Sequence, residues 1–203
     1  MSRKSNSAQR RSEIVAALLF VLAEQGYEKA TIQAIAKRAN LTPGLIHYHF
    51  ETKAEILLSL IASLNEVFRE RYLSFAETAT SPEQKLHAYL RARLAKGEGA
   101  NPEAVAAWVV IGAEAVRQVE VREMYQAAIK DELSLVQQLL KECFIAKGKR
   151  SNSAPQVAAA ILALMEGSFQ LSSAAEDVMP KGYAASTVIK FIDRFIAGEE
   201  TTN

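Results

Sequence analysis

Apolar residues recur at a spacing of three to four along most of this chain, the period of a helix with one buried face. Ile14, Leu18, Val21 and Leu22 share such a face, and Leu19 and Phe20 widen it. They predict a largely buried helix from about Ser7 to Gln25, stopped by Gly26. Ile56, Leu57, Leu60, Ile61, Leu64, Val67 and Phe68 mark a longer helix after Thr52, running to about Ala79. Ser81-Pro82 starts the next, with Leu86, Tyr89, Leu90 and Leu94. Further helices are predicted from Pro102 to about Arg117, from about Val121 to Ala146, from Ala154 to Ala175, and from Pro180 through Phe195. Between Val157 and Met165 the chain is apolar on all sides. That pattern places one face of its helix on the core and the other against a further surface.

Between the first helix and the long one lies a denser pattern, TIQAIAKRANLTPGLIHYHFETK, from Thr31 to Lys53. Thr31 can cap a short helix whose inner face is Ile32, Ile35 and Ala36. Asn40 tolerates the left-handed backbone that ends it. Thr42 caps a second short helix, with Pro43 in its first position, where a missing N–H costs nothing. Leu45, Ile46 and Phe50 supply the apolar contacts. Two helices this short need a platform, and the chain supplies a helix on either side. The layout is that of a helix-turn-helix, which offers its second helix to the major groove.

Composition agrees with an all-α chain. Hydrophobic residues make up 49%, and glycine and proline are few (9 and 5). The net charge of +1 hides an asymmetry. Residues 1–53 carry eight bases against four acids, leaving the rest of the chain at −3, so positive charge gathers where a duplex would need it. The single cysteine, Cys143, rules out an internal disulfide framework and fits a reducing compartment, so a cytoplasmic location is expected. The basic start followed by Ile14–Ala23 has the grammar of a signal peptide, but cleavage there would remove the platform helix, and Glu13 interrupts the basic flank. No apolar run reaches the roughly 18 residues of a membrane span, so no membrane role is expected. Residues 1–9 read as a mobile arm, either a disordered tail or a contact to phosphate or the minor groove.

Thr31-Ile32, Ile35-Ala36, Ala39, Leu41-Thr42, Gly44, Tyr48-His49-Phe50 and Lys53, all in one register, resemble the DNA-binding signature of the TetR family of transcriptional regulators. The resemblance covers residues 10–57. It implies a three-helix helix-turn-helix head on a larger helical body, about nine helices in all, divided as a DNA-binding domain over 1–53 and a ligand-binding and dimerisation domain over 54–203. It places Thr31, His49 and Lys53 on the DNA backbone, with Tyr48 either joining them or packing inward. Gln33, Thr42, Pro43, Gly44, Leu45 and His47 fall where the family's base and groove contacts come from. His47 departs from the more usual Tyr. The family usually pairs through its last two long helices, so residues 154–175 and 180–197 are the expected homodimer surface, and a palindromic operator the expected DNA.

The body resembles the BetI-like repressors of choline metabolism at Ala107-Trp108, around Tyr125, and in the Ala-rich helix ending at Glu166-Gly167. A small-molecule effector is implied, with Trp108, Glu114, Tyr125, Phe144, Glu166 and Phe169 as candidate pocket residues, while core filling is the simpler reading of any one aromatic. Cys143 reads as a redox sensor or as an inert buried thiol. No cofactor is implied. His47 and His49, two apart on a helix, point about 200° apart and cannot share an ion, and His87 stands alone, so no metal site is expected. No catalytic set of residues emerges, which disfavours an enzyme. An activator or architectural DNA-binding protein without an effector is the alternative to a repressor.

Overall fold

The computed structural model describes residues 3–97 and 99–199. Among these are nine α-helices: α1 (Arg3–Gln25), α2 (Ile32–Ala39), α3 (Pro43–His49), α4 (Lys53–Ala76), α5 (Pro82–Leu94), α6 (Pro102–Ala115), α7 (Val119–Ala146), α8 (Ala154–Ala174) and α9 (Tyr183–Gly198), with a 3-10 turn at Glu176–Val178. No strand occurs among the described residues. Most helix starts carry the expected signals. Ser81 and Asn101 accept from the backbone N–H of Gln84 (3.2 Å) and Ala104 (2.9 Å), each ahead of a proline in the first turn.

Several boundaries differ from expectation for local reasons. Arg3–Gln9 form the first turns of α1 rather than an irregular arm, while Met1 and Ser2 lie outside the described residues. α6 stops at Ala115 because Arg122 bends back and donates to the carbonyls of Ala115 (2.9 Å) and Val116 (2.8 Å), satisfying the helix end. α9 starts at Tyr183, not Pro180, because Gly182 holds a left-handed φ of 66° that no right-handed helix admits. α8 is, by length and composition, long and apolar enough to cross a membrane, contrary to expectation. Its inward residues Ala158, Ile161 and Met165 are buried in protein, and 33% of its apolar window is buried in the single chain.

The chain forms two compact units. The first unit contains residues up to Asn65 together with Asn101–Ala128. Here α1 packs against α2, α3 and α6, so α6 completes the platform that α2 and α3 need. Its core holds Ile14, Leu18, Leu22, Ile35, Ile46, Phe50, Ile56, Leu57 and Ile111. The second unit contains Glu66–Ala100 and everything from Ile129 onward. There α5 packs against α8 and α9, around Leu86, Tyr89, Leu90, Val136, Leu140, Phe144, Ile161 and Ile196.

Candidate nucleic-acid interface and buried polar groups

In the first unit, caps fix the two short helices. Thr31 Oγ1 accepts from the Ala34 N–H (3.1 Å) and Thr42 Oγ1 from the Leu45 N–H (3.3 Å). Between them Asn40 takes the left-handed conformation at φ 54°. The inward side chains Ile35, Ile46 and Phe50 are buried. The turn therefore leaves one polar side outward: Thr31, Gln33, Thr42, Pro43, Gly44, His47 and Tyr48 are exposed, and Leu45, His49 and Lys53 are half-buried. Tyr48 points outward, 80% exposed, with the His49 ring edge-on at 5.0 Å. A Cβ added at Gly44 would meet nothing within 4 Å, so a glycine here answers to no packing demand inside the chain.

Charged groups brace this face from behind. Arg11 stacks on the Phe50 ring at 3.9 Å, donates to the His49 carbonyl at the end of α3 and pairs with Glu55 at 3.1 Å. Glu55 accepts the Glu51 backbone N–H at 2.9 Å. That bond first, and Arg11 second, hold its carboxyl below the usual range. Lys53 lies over the Tyr27 ring at 3.7 Å and donates to the Tyr27 carbonyl at 3.1 Å. Burial lowers its ammonium pKa, partly countered by Glu114 and Glu28. Arg38 stacks on Phe20 at 4.4 Å, with Glu24 at 3.9 Å. The pattern alone did not reveal Arg11 as the brace for α3, because its partners His49 and Glu55 are far along the chain.

The six candidate pocket residues fall in both units. In the first, Trp108 and Tyr125 are stacked at 5.1 Å with their planes tilted by 36°. A Cβ on Gly112 would come within 3.4 Å of the Tyr125 ring, so glycine admits that ring against α6. Glu114 is buried and accepts from the Gln118 side-chain amide. In the second unit Phe144 is fully buried core, Glu166 is half-buried, and Phe169 is buried beside an unforeseen charge, Arg93.

Arg93 is 7% exposed. Its guanidinium lies 4.0 Å from the Phe68 ring and 5.5 Å from that of Phe169. Nε is 3.1 Å from Glu132 Oε1, an ion-pair distance, yet neither Nε nor Nη1 has an aligned hydrogen-bond acceptor. Each buried N–H left so costs about 1–3 kcal/mol. Tyr89 donates to the same Glu132 carboxylate and also reaches Met165 Sδ at 3.7 Å. Burial first, and Glu132 second, push the Tyr89 phenol well above its ordinary range. Arg93 escapes the sequence pattern because it sits in the run Arg91-Ala92-Arg93, which reads as solvated charge.

His87 is not alone: Nε2 lies 2.6 Å from Asp193 Oδ1, and the ligand atoms of Glu83, His87 and Asp193 fall within 4.8 Å of one another. Their types could hold a cation, but the Lys147 ammonium, 2.9 Å from Glu83, already supplies positive charge there. Cys143 is fully buried, and burial, then Glu83, pushes its thiol up to about 11. That is the environment of an inert thiol.

Two short capped helices on a helical platform, with the second helix's outer face open, define a helix-turn-helix DNA-binding protein. A sequence profile described as bacterial regulatory proteins, tetR family, matches residues 14–60, and one described as BetI-type transcriptional repressor, C-terminal, matches residues 82–197. The chain belongs to the TetR family of transcriptional regulators. It is similar to the HTH-type transcriptional regulator BetI of Rhizobium meliloti (strain 1021), at 34% identity over 115 residues. That match covers 57% of this chain and 56% of the relative, so the chain spans little more than half the length of such curated relatives. A Rhodococcus sp. protein assigned to the TetR family shares the fold at a TM-score of 0.81 and 21% identity, over 93% of this chain and 99% of that one. A Saccharomonospora viridis protein assigned as a transcriptional regulator, solved in complex with choline, does so at 0.74 and 19%, over 97% and 100%.

Proposed function

We propose that the chain is a homodimeric, cytoplasmic repressor that binds a palindromic operator and is released by a small-molecule effector. The exposed side of α2 and α3 carries this reading. Residues 1–53 bear the DNA contacts, with Thr31, His49 and Lys53 toward phosphate and Gln33, Thr42, Pro43, Gly44, Leu45 and His47 toward the groove. A polar outer face held by caps, with no packing demand at Gly44, suits close approach to a duplex. Residues 54–203 bear effector binding and dimerisation. On α8, Ala159, Ala160, Ala163, Leu164 and Gly167 are exposed, and on α9 Phe191 and Phe195 are 55% and 44% exposed. A second copy is the economical cover for two such helix faces, as a four-helix bundle.

Effector control is supported by the BetI-type C-terminal match. The choline seen in the Saccharomonospora viridis protein makes a quaternary ammonium one compound to test. The decisive measurement is binding of the full chain to the DNA upstream of its own gene at two salt concentrations. Saturable, salt-sensitive binding of one dimer to a palindromic site is expected. Binding of equal strength to any duplex would overturn the repressor reading.

A further inference from the structure

Resting on the reading of α2 and α3 as the DNA-binding face, we propose that Arg11 of α1 is a positioning residue for operator recognition: it fixes the C-terminal end of α3 and so sets how that helix meets the groove, without touching the duplex itself. α3 is only 7 residues long, Pro43–His49. A helix this short has little cooperative hold on its last turn, and its final carbonyls lack partners within the helix. The start of α3 is fixed by Thr42, whose hydroxyl accepts from the Leu45 N–H, but its end must be held from outside. Beyond it the backbone turns extended at Phe50, with φ −142° and ψ 128°. Arg11 supplies the hold. Its Nη1 donates to the His49 carbonyl, and its Cζ lies 3.9 Å from the centre of the buried Phe50 ring. A cation at that end also meets the negative pole of the helix.

The same guanidinium is fastened on its other side. Nη2 is 3.1 Å from Glu55 Oε1, and Glu55 Oε2 accepts the Glu51 N–H at 2.9 Å. One side chain thus joins α1, the end of α3 and the first turn of α4. Its three contacts all lie inside the chain, and Glu55 offsets its charge, so Arg11 adds little net attraction for phosphate. What it governs is direction. His47, Tyr48 and His49 lie in the turn it anchors, and hydrogen bonds to base edges weaken steeply as distance and angle drift. Attraction to phosphate is the same for every sequence. The anchor therefore acts on the difference between the operator and any other duplex.

Titrating the full-length chain with its operator and with a scrambled duplex of equal length, each at two salt concentrations, tests this. Arg11→Met should lower operator affinity by about tenfold or more, the worth of a lost base contact, and scrambled-duplex affinity by less than about threefold, with the salt slope unchanged. Glu55→Gln keeps an acceptor for the Glu51 N–H but loses the charge opposite Arg11. It should narrow the operator preference in the same direction, and adding it to Arg11→Met should cost nothing more. Should Arg11→Met fail to fold, Glu55→Gln alone decides, and an operator preference equal to wild type would overturn the proposal. Equal losses on both duplexes, with a slope flattened by about 1, would make Arg11 a phosphate contact instead. Full operator affinity in Arg11→Met, or losses that add in the double variant, would also overturn it. Equal binding of the wild-type chain to both duplexes is a separate failure: it would remove the repressor reading, and the positioning role with it, before any variant is compared.

Discussion

The helix-turn-helix and the core of the C-terminal unit place their polar groups by opposite means. Thr31, Thr42 and Gly44 lie in one short stretch, each set by a cap or turn within a few residues of itself, and all are exposed. Phe68, Tyr89, Arg93, Glu132 and Phe169 come from four helices, and the charged pair at their centre is almost sealed from water. Local bonds set the caps of the first arrangement, while α1, with Arg11 on the His49 carbonyl, supplies its platform. The second exists only when four helices pack correctly. The comparison predicts that changes on the outer face alter DNA binding and spare the fold, whereas changes in the buried group act on the fold of the C-terminal unit.

The strongest test of that separation is Gly44→Phe. The site has no neighbour within 4 Å and glycine there is not held in a left-handed conformation, so the folded chain can accept the ring. A ring facing the groove would hold the duplex off, and affinity for the operator should fall by about a hundredfold or more, the worth of one or two base contacts. Tm and dimer mass should stay unchanged. Retained affinity would show that α3 is not the helix that enters the groove.

Next in size is the double change Leu164→Glu with Phe195→Glu. Both side chains are exposed in the single chain, at 41% and 44%, so each unit should still fold. Buried against a second copy, the carboxylates would lose their hydration, and sedimentation should report monomer at micromolar concentration. Operator affinity should then drop by roughly tenfold to a hundredfold, because one head reads only half a palindrome. A dimer of unchanged mass would move the interface elsewhere.

This separation also explains what could be read in the sequence. The caps Thr31, Thr42 and Ser81, the left-handed Asn40 and the inward Ile35, Ile46 and Phe50 each depend on neighbours a few residues away, so spacing disclosed them. Arg122 closing α6, Gly182 delaying α9 and α6 packing against α1 depend on contacts that no local pattern carries. The site residues divide the same way. The outer face of α2 and α3 was legible, whereas Arg93 looked like solvated charge and His87 looked isolated until α9 brought Asp193 to it. Trp108 and Tyr125 were picked out for aromatic character, and their stacking requires Gly112 opposite the ring.

A smaller effect is expected for Lys53→Ala, which lies on the border between the two behaviours. Its ammonium bonds to the Tyr27 carbonyl and covers the Tyr27 ring, so it serves the fold as well as the proposed phosphate contact. Operator affinity should fall about fivefold to tenfold for every sequence alike, and the slope of log affinity against log salt should flatten by about 1. Tm should fall slightly through the lost cation–π contact. An unchanged salt slope with a lowered Tm would assign Lys53 to the fold alone.

The smallest effect should come from Cys143, in the same unit as Arg93 but without an unmet bonding demand. Its thiol is pushed up to about 11 by burial and by Glu83, from 9.0. At pH 8 the native thiolate is then about a hundredfold scarcer than for an ordinary thiol of this type, because each pKa unit is a factor of ten. Disulfide-exchange reagents should label the native chain at least that much more slowly than the chain in denaturant, and peroxide should leave operator binding unaltered. The sign of the pH effect follows from the same shift. With the folded value above the unfolded one, the thiol's contribution to stability is complete below pH 9 and is lost as the pH rises from 9 toward 11, where the unfolded chain ionises first. Cys143→Ala should abolish that alkaline slope and change operator affinity by less than about twofold, since it lies outside both the DNA face and the Arg93 group. Rapid native labelling, or release of DNA by peroxide, would make Cys143 a sensor.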